Sequence, residues 1–149
     1  MVLYHIGYEG LSLDSFLNYL EYYSISTVVD VRYLPISRKK GFSKTALEHN
    51  LSKHGIQYLH LKKIGTPKPM RTRLYESWNY DEFFAAYREY LDANLSELDP
   101  ILDLISIDKP VLLLCYEKDP ETCHRKIIAQ EVQRREGNGL EVKPILRTH

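Results

Sequence analysis

The chain has 149 residues, 44% of them hydrophobic and 27% charged, with 20 lysines and arginines balanced by 20 acids. This describes one globular domain, 1–149, with enough sequence for a single core. No apolar run reaches the roughly 20 residues that span a bilayer. The N-terminus lacks the basic and apolar regions of a secretion signal, and two cysteines make no disulfide scaffold, so a cytoplasmic protein without membrane partners is expected.

Val2–Ile6 is a short apolar run ending at Gly7-Tyr-Glu-Gly10, a strand and then a loop. Ser12 caps a helix in which Leu13, Phe16, Leu17 and Leu20 recur at helical spacing. Thr27–Val31 is a β-branched buried strand, and Arg32–Phe42 a basic loop. Ser43 starts a second helix, 44–54, which stops at Gly55. Ile56–Leu61 alternates enough to lie near a sheet edge. Residues 62–79 read as a long irregular segment. Tyr80–Ala93 and Ser96–Ile107 are helices, the second restarted at Asp99-Pro100. Val111–Glu117 is the fourth strand, Pro120–Arg135 the next helix, and Glu141–Ile145 the last strand. The order predicts a three-layer, Rossmann-like α/β fold: a mostly parallel five-stranded sheet with helices on both faces. The long connection between strands three and four allows a crossover to the far side of strand one. That gives the order 3-2-1-4-5, with strands one and four adjacent and parallel.

Most chemistry falls between Val111 and Arg125. A buried strand delivers Cys115 and Glu117 to its C-terminal end, and Asp119-Pro120 reads as a helix start. This places Cys123, His124 and Arg125 in the first helical turn, where unpaired N–H groups attract anions. Cys123 is the candidate nucleophile, its thiolate favoured by the helix start and Arg125. The competing reading is a small packing residue. Neighbours on a helix point about 100° apart, so His124 is not expected to reach the Cys123 sulfur, and His5 or His60 is better placed. Glu117 and Glu9 are candidate acid and base at two adjacent strand ends. Glu117 is alternatively an ion-pair partner, and Arg32, Glu117 and Arg125 are expected to form one polar network. Asp30 is a candidate buried partner for Arg32. A Cys115–Cys123 redox pair ranks low for want of the tight Cys-x-x-Cys spacing. The cysteine and histidine spacings match no metal site, and no cofactor motif is present.

The zero net charge hides a segregation. Residues 32–73 hold eleven bases and one acid, a net +10, and residues 74–121 hold three bases and twelve acids, a net −9. Arg38, Lys39, Lys40, Lys44, Lys68, Arg71 and Arg73, with Tyr33, Phe42, Tyr75 and Trp78 interleaved, suit phosphates and bases. Solvated or internally paired charge is the equally weighted alternative. Gly7-Tyr-Glu-Gly10, with two glycines after the first strand, allows close backbone approach of a phosphate.

Ile6-Gly-Tyr-Glu-Gly10, Val29-Asp-Val-Arg32, Ser37-Arg38 with Gly41-Phe-Ser-Lys44, Tyr58-Leu-His-Leu61, Leu112–Glu117 and Cys123-His-Arg125 together resemble the domain of unknown function 488 family. The resemblance runs in order from end to end. It implies an α/β domain of bacterial or archaeal origin and no established activity. From the residues, the first functional reading is an enzyme on a phosphate-bearing ligand, a nucleotide or nucleic acid. Its catalytic candidates are Glu117, Cys123 and Glu9. Its ligand-binding candidates are Gly7, Tyr8, Arg32, Arg38, Lys44, Cys115, His124 and Arg125. The alternatives are a non-catalytic binding module for the same ligands and a thiol-dependent transferase using Cys123. The sequence sets no oligomeric state.

Overall fold

The computed structural model describes residues 1–147. Five strands, β1 (Val2–Gly7), β2 (Thr27–Asp30), β3 (Gln57–His60), β4 (Val111–Cys115) and β5 (Glu141–Pro144), make one all-parallel sheet in the order β3-β2-β4-β1-β5. Strands β1 and β4 are neighbours, with Gly7 opposite Cys115. The expected order 3-2-1-4-5 is corrected: β4 enters between β2 and β1, and β5 pairs with β1. The strand compositions explain why. All five residues of β4, Val-Leu-Leu-Leu-Cys, are buried, and a strand apolar on both faces belongs at a sheet centre. Strand β5, Glu-Val-Lys-Pro, is mostly exposed and tolerates its proline at an edge.

Side chains alternate across the sheet with period two. Leu3, Val29, Val111, Leu113 and Cys115 face one core, which is completed by Tyr87 and Leu91 of α4 (Tyr80–Asp92), Ile101 and Ile105 of α5 (Asp99–Ser106), and Ile128 and Val132 of α6 (Arg125–Glu136). Ile6, Val28, Leu112 and Leu114 face the other, against Phe16 and Leu20 of α1 (Leu13–Tyr22) and Leu47 and Leu51 of α2 (Lys44–Ser52). Helices therefore cover both faces. No helix is long and apolar enough to cross a membrane among the described residues.

The helix starts follow local chemistry. Ser12 accepts the Ser15 N–H at 3.1 Å, and Asn79 accepts that of Glu82 at 3.1 Å. Ser43 precedes α2 but its hydroxyl turns back to Ser37, pinning the basic loop. The segment 62–79 is more ordered than its sequence suggests. It holds a 3₁₀ turn, Lys62–Ile64, and a further helix, α3 (Lys68–Ser77), whose Pro69 occupies the tolerated first turn. Strand β4 stops at Cys115, which leaves Glu117 in the following turn.

Candidate active site

Strands β1, β2 and β4 end side by side and open into a cavity of about 610 Å³. Cys115, Glu117 and His124 line it together with Tyr8 and Arg32. The basic loop adds Arg38 and Lys39, and α3 adds Arg71 and Tyr75. Gly7 has a role other than the expected one. A Cβ there would overlap the Glu117 carbonyl, so the glycine lets the turn after β4 close onto β1. Tyr8 N–H donates to the Cys115 carbonyl at 3.1 Å, and Glu9 N–H to that of Tyr116 at 2.8 Å. The Glu9 carboxylate accepts the Lys118 N–H at 3.0 Å and does not line the cavity. Glu9 thus ties the turn after β4 to the end of β1, close enough to Glu117 to raise its carboxyl.

The expected helix start at Pro120 is a single 3₁₀ turn, Pro120–Thr122, capped by Asp119. Cys123 is then extended (φ −129°, ψ 140°), and α6 begins only at Arg125. The anion-binding helix start is thereby corrected: its N–H groups are taken by Asp119 and by the Cys123 sulfur, which lies 3.5 Å from the Arg125 N–H. The extended Cys123 also overturns the argument that kept His124 away. His124 Nδ1 lies 3.8 Å from Cys123 Sγ. His124 Nε2 faces the Val31 carbonyl at 2.8 Å. A carbonyl only accepts, so Nε2 carries the proton and Nδ1 offers its lone pair to the sulfur. Burial lowers His124 to about 4, with Arg125 adding to the effect, so the ring is neutral at pH 7. The alternatives His5 and His60 are engaged elsewhere, at Arg125 and at the Arg32 carbonyl.

The expected Arg32–Glu117–Arg125 network is two separate networks. Arg32 is held by Asp30 through two side-chain bonds of 2.8 and 2.7 Å, and it donates to the Tyr8 hydroxyl at 3.1 Å. Tyr58 completes the cluster on Asp30 at 2.6 Å. Arg125, only 1% exposed, forms no ion pair with any carboxylate among the described residues. Its guanidinium donates to His5 Nδ1 at 3.1 Å, to Cys115 Sγ at 2.8 Å, and to the backbone carbonyls of Glu117 and Lys118 at 2.6 and 3.2 Å. Burial draws Arg125 down to about 10, still protonated at neutral pH. Burial and the same cation bring His5 to about 4. The Glu117 carboxyl is raised by burial and by Glu9 against the opposing pull of Arg125.

The structure pairs Cys115 with Cys123, sulfur to sulfur, the combination ranked low for its spacing. Both are 1% exposed, but only Cys115 lines the cavity. The pocket-facing thiol is therefore Cys115, not Cys123. Cys115, Glu117 and Cys123 also offer one ligand atom each within 4.8 Å of one another. Arg125 already donates to one of the sulfurs of this grouping.

Of the eleven bases in 32–73, Arg32, Lys63 and Arg73 pair with carboxylates, which leaves eight without such a partner among the described residues. Arg71 lines the cavity, and its buried Nε has no hydrogen-bond partner. Lys44 is exposed and lies off the cavity, and Phe42 is buried, stacked on Tyr8 at 4.4 Å. Tyr116 and Tyr75 are exposed aromatics at the cavity. Tyr116 was not singled out by sequence, and Tyr75 reaches the cavity through the unforeseen helix α3.

The family model for a domain of unknown function, DUF488, matches residues 12–132. The chain belongs to this family. The match covers α1 through most of α6, and so includes Arg32, Cys115, Glu117 and the Cys123-His-Arg element. No curated protein and no solved structure matches the chain.

Proposed function

We propose that this DUF488 member is an enzyme acting on a phosphate-bearing ligand, a nucleotide or a single-stranded nucleic acid. One observation carries the reading: a thiol, a carboxyl and a neutral imidazole share a cavity floor beneath Arg38, Lys39 and Arg71. Arg71 lines the cavity and pairs with no carboxylate among the described residues, which leaves its charge for an anion. Tyr75 and Tyr116 offer ring faces to a base. Arg32, neutralised by Asp30, orients Tyr8 and the wall. Cys115 is the nucleophile, its thiolate favoured by the Arg125 donor. Glu117, raised by burial, is the proton donor to a leaving group. A binding module without turnover is the second reading. It is favoured if Cys115 stays locked to Cys123, because the nucleophile is then absent.

The test is binding of a nucleoside triphosphate and of a single-stranded oligonucleotide, followed against salt. Affinity for the oligonucleotide should fall with a slope of about 0.7 per phosphate contacted, and Arg71→Ala should weaken both ligands. Absence of binding at low ionic strength, or unchanged affinity in Arg71→Ala, contradicts the proposal. Catalysis further requires that Cys115→Ser keep binding and lose turnover.

A further inference from the structure

Behind the cavity floor two sulfurs meet in an asymmetric setting. Cys115 opens to the cavity, whereas Cys123 is sealed behind it. Cys115 Sγ accepts from the Arg125 guanidinium at 2.8 Å, and Cys123 Sγ from the Arg125 backbone N–H at 3.5 Å. A buried cation with no carboxylate partner finds its closest complement in a sulfur that becomes negative when reduced. Cys123 has the neutral His124 Nδ1 beside it, in a tautomer fixed by the Val31 carbonyl. One donor system thus favours a thiolate at Cys115, and a separate base faces Cys123.

We propose that Cys115 and Cys123 form a thiol–disulfide exchange couple in which Cys115 attacks and Cys123 resolves. This activity goes beyond ligand capture by the cationic wall and does not require it. The co-reactant is a disulfide, R–S–S–R′, that enters the cavity. Cys115 thiolate attacks one sulfur: a Cys115–S–S–R bond forms, the R–S–S–R′ bond breaks, and R′–S⁻ leaves. Cys123, its thiol held by the lone pair of His124 Nδ1, then attacks Cys115 Sγ. The Cys115–Cys123 bond forms, the mixed disulfide breaks, and the departing R–S⁻ takes the Cys123 proton and leaves as R–SH. Two electrons pass from the dithiol to the substrate disulfide, and a reduced dithiol running the steps backward restores the couple. The two sulfurs lie against each other in the structure, so closing their bond asks for only a small backbone movement. A single cysteine pair at a cavity floor is placed for exchange, in contrast to the multiple bridges that staple small secreted folds.

The test uses the reduced full-length protein and hydroxyethyl disulfide, an uncharged probe that does not need the cationic wall. Aliquots are acid-quenched and mapped by peptide mass. Wild type should form the internal Cys115–Cys123 disulfide with only transient mixed disulfide. Cys123→Ser, and independently Cys123→Ala, should trap the probe on Cys115. Cys115 in these variants should react roughly three- to tenfold faster at pH 7 than in the urea-unfolded protein. Arg125→Lys should move the rate–pH profile of that attack to higher pH. The proposal is overturned if Cys115→Ser takes up the probe on Cys123 while the Cys123 variants stay unmodified. It is equally overturned if both thiols of the folded protein stay free of probe and of each other. Nucleotide binding by the reduced wild-type protein is measured alongside, so failure of the exchange couple is distinguishable from failure of the phosphate site.

Discussion

Replacing Arg125 by methionine keeps the aliphatic stem and removes the guanidinium from the centre of the site. Four acceptors lose a donor: His5 Nδ1, Cys115 Sγ, and the Glu117 and Lys118 carbonyls. A buried acceptor left unmet costs about 1–3 kcal/mol. The two carbonyls belong to the partly exposed turn after β4 and can recover water, so His5 carries most of that penalty. Against it, a cation no longer has to be buried, a relief of several kcal/mol before its hydrogen bonds are counted. The turn 116–119 also loses the tie that joins it to α6. The balance is a loss of about 2–4 kcal/mol, below the 3–5 of a broken buried ion pair because no carboxylate is stranded. Urea unfolding under reducing conditions measures it: the midpoint should fall with the slope unchanged. A change within about 0.5 kcal/mol would refute the claim that Arg125 organises the turn, since that is the range of ordinary surface substitutions. In the same variant Cys115 should alkylate more slowly at neutral pH, its thiolate having lost its nearest donor.

Glu117→Gln should leave stability at pH 7 unchanged or slightly increased, because the carboxyl forms no side-chain ion pair among the described residues and burial raises it. The sign follows: a carboxyl raised in the fold binds its proton more tightly folded than unfolded, so its charged form costs stability as pH rises past the ordinary value. A loss of more than 2 kcal/mol by urea unfolding would show that the glutamate has a partner. Glu131 has the opposite sign. Arg134 and Arg88 hold it down to about 2 from an ordinary 4.5, against burial. Its contribution is full above the ordinary value and lost as pH falls towards about 2. Glu131→Gln should flatten that acid limb and cost about 1 kcal/mol at pH 7, a modest figure because both guanidiniums reach solvent. An acid limb identical to wild type would contradict the assignment.

The fold was legible where local chemistry decides it. The Ser12 cap, the restart at Asp99-Pro100, and the edge position of β3 all follow from residues within a turn of one another. Strand order was not, because the centre of a sheet is won by competition between distant segments. The all-apolar Val111–Cys115 displaces β1 from beside β2. At the site, the sequence named Cys115, Glu117, His124, Arg32 and Arg38 among residues that the cavity gathers. It misassigned their partners. Asp30 takes Arg32 from two residues away, which leaves none of it for Glu117. The signal at Asp119-Pro120 is a real cap, but it yields one 3₁₀ turn before Cys123 straightens the chain. That short interruption brings the two sulfurs together and turns His124 towards Cys123, and a helical reading of 120–135 hides both. Arg71 belonged to the basic block, but its reach depends on α3, in a segment whose prolines suggested a loop.

The most direct measurement is the alkylation rate of Cys115 in the reduced protein, with and without a saturating nucleoside triphosphate or single-stranded oligonucleotide, resolved by peptide mass. On the proposed function, a phosphate-bearing ligand held by Arg71 would cover this thiol, which lines the same cavity. Labelling of Cys115 should slow markedly on binding, and Arg71→Ala should restore the unprotected rate at the same ligand concentration. A ligand that binds while Cys115 labels at its free rate would place the phosphate site elsewhere and contradict the assignment of this cavity.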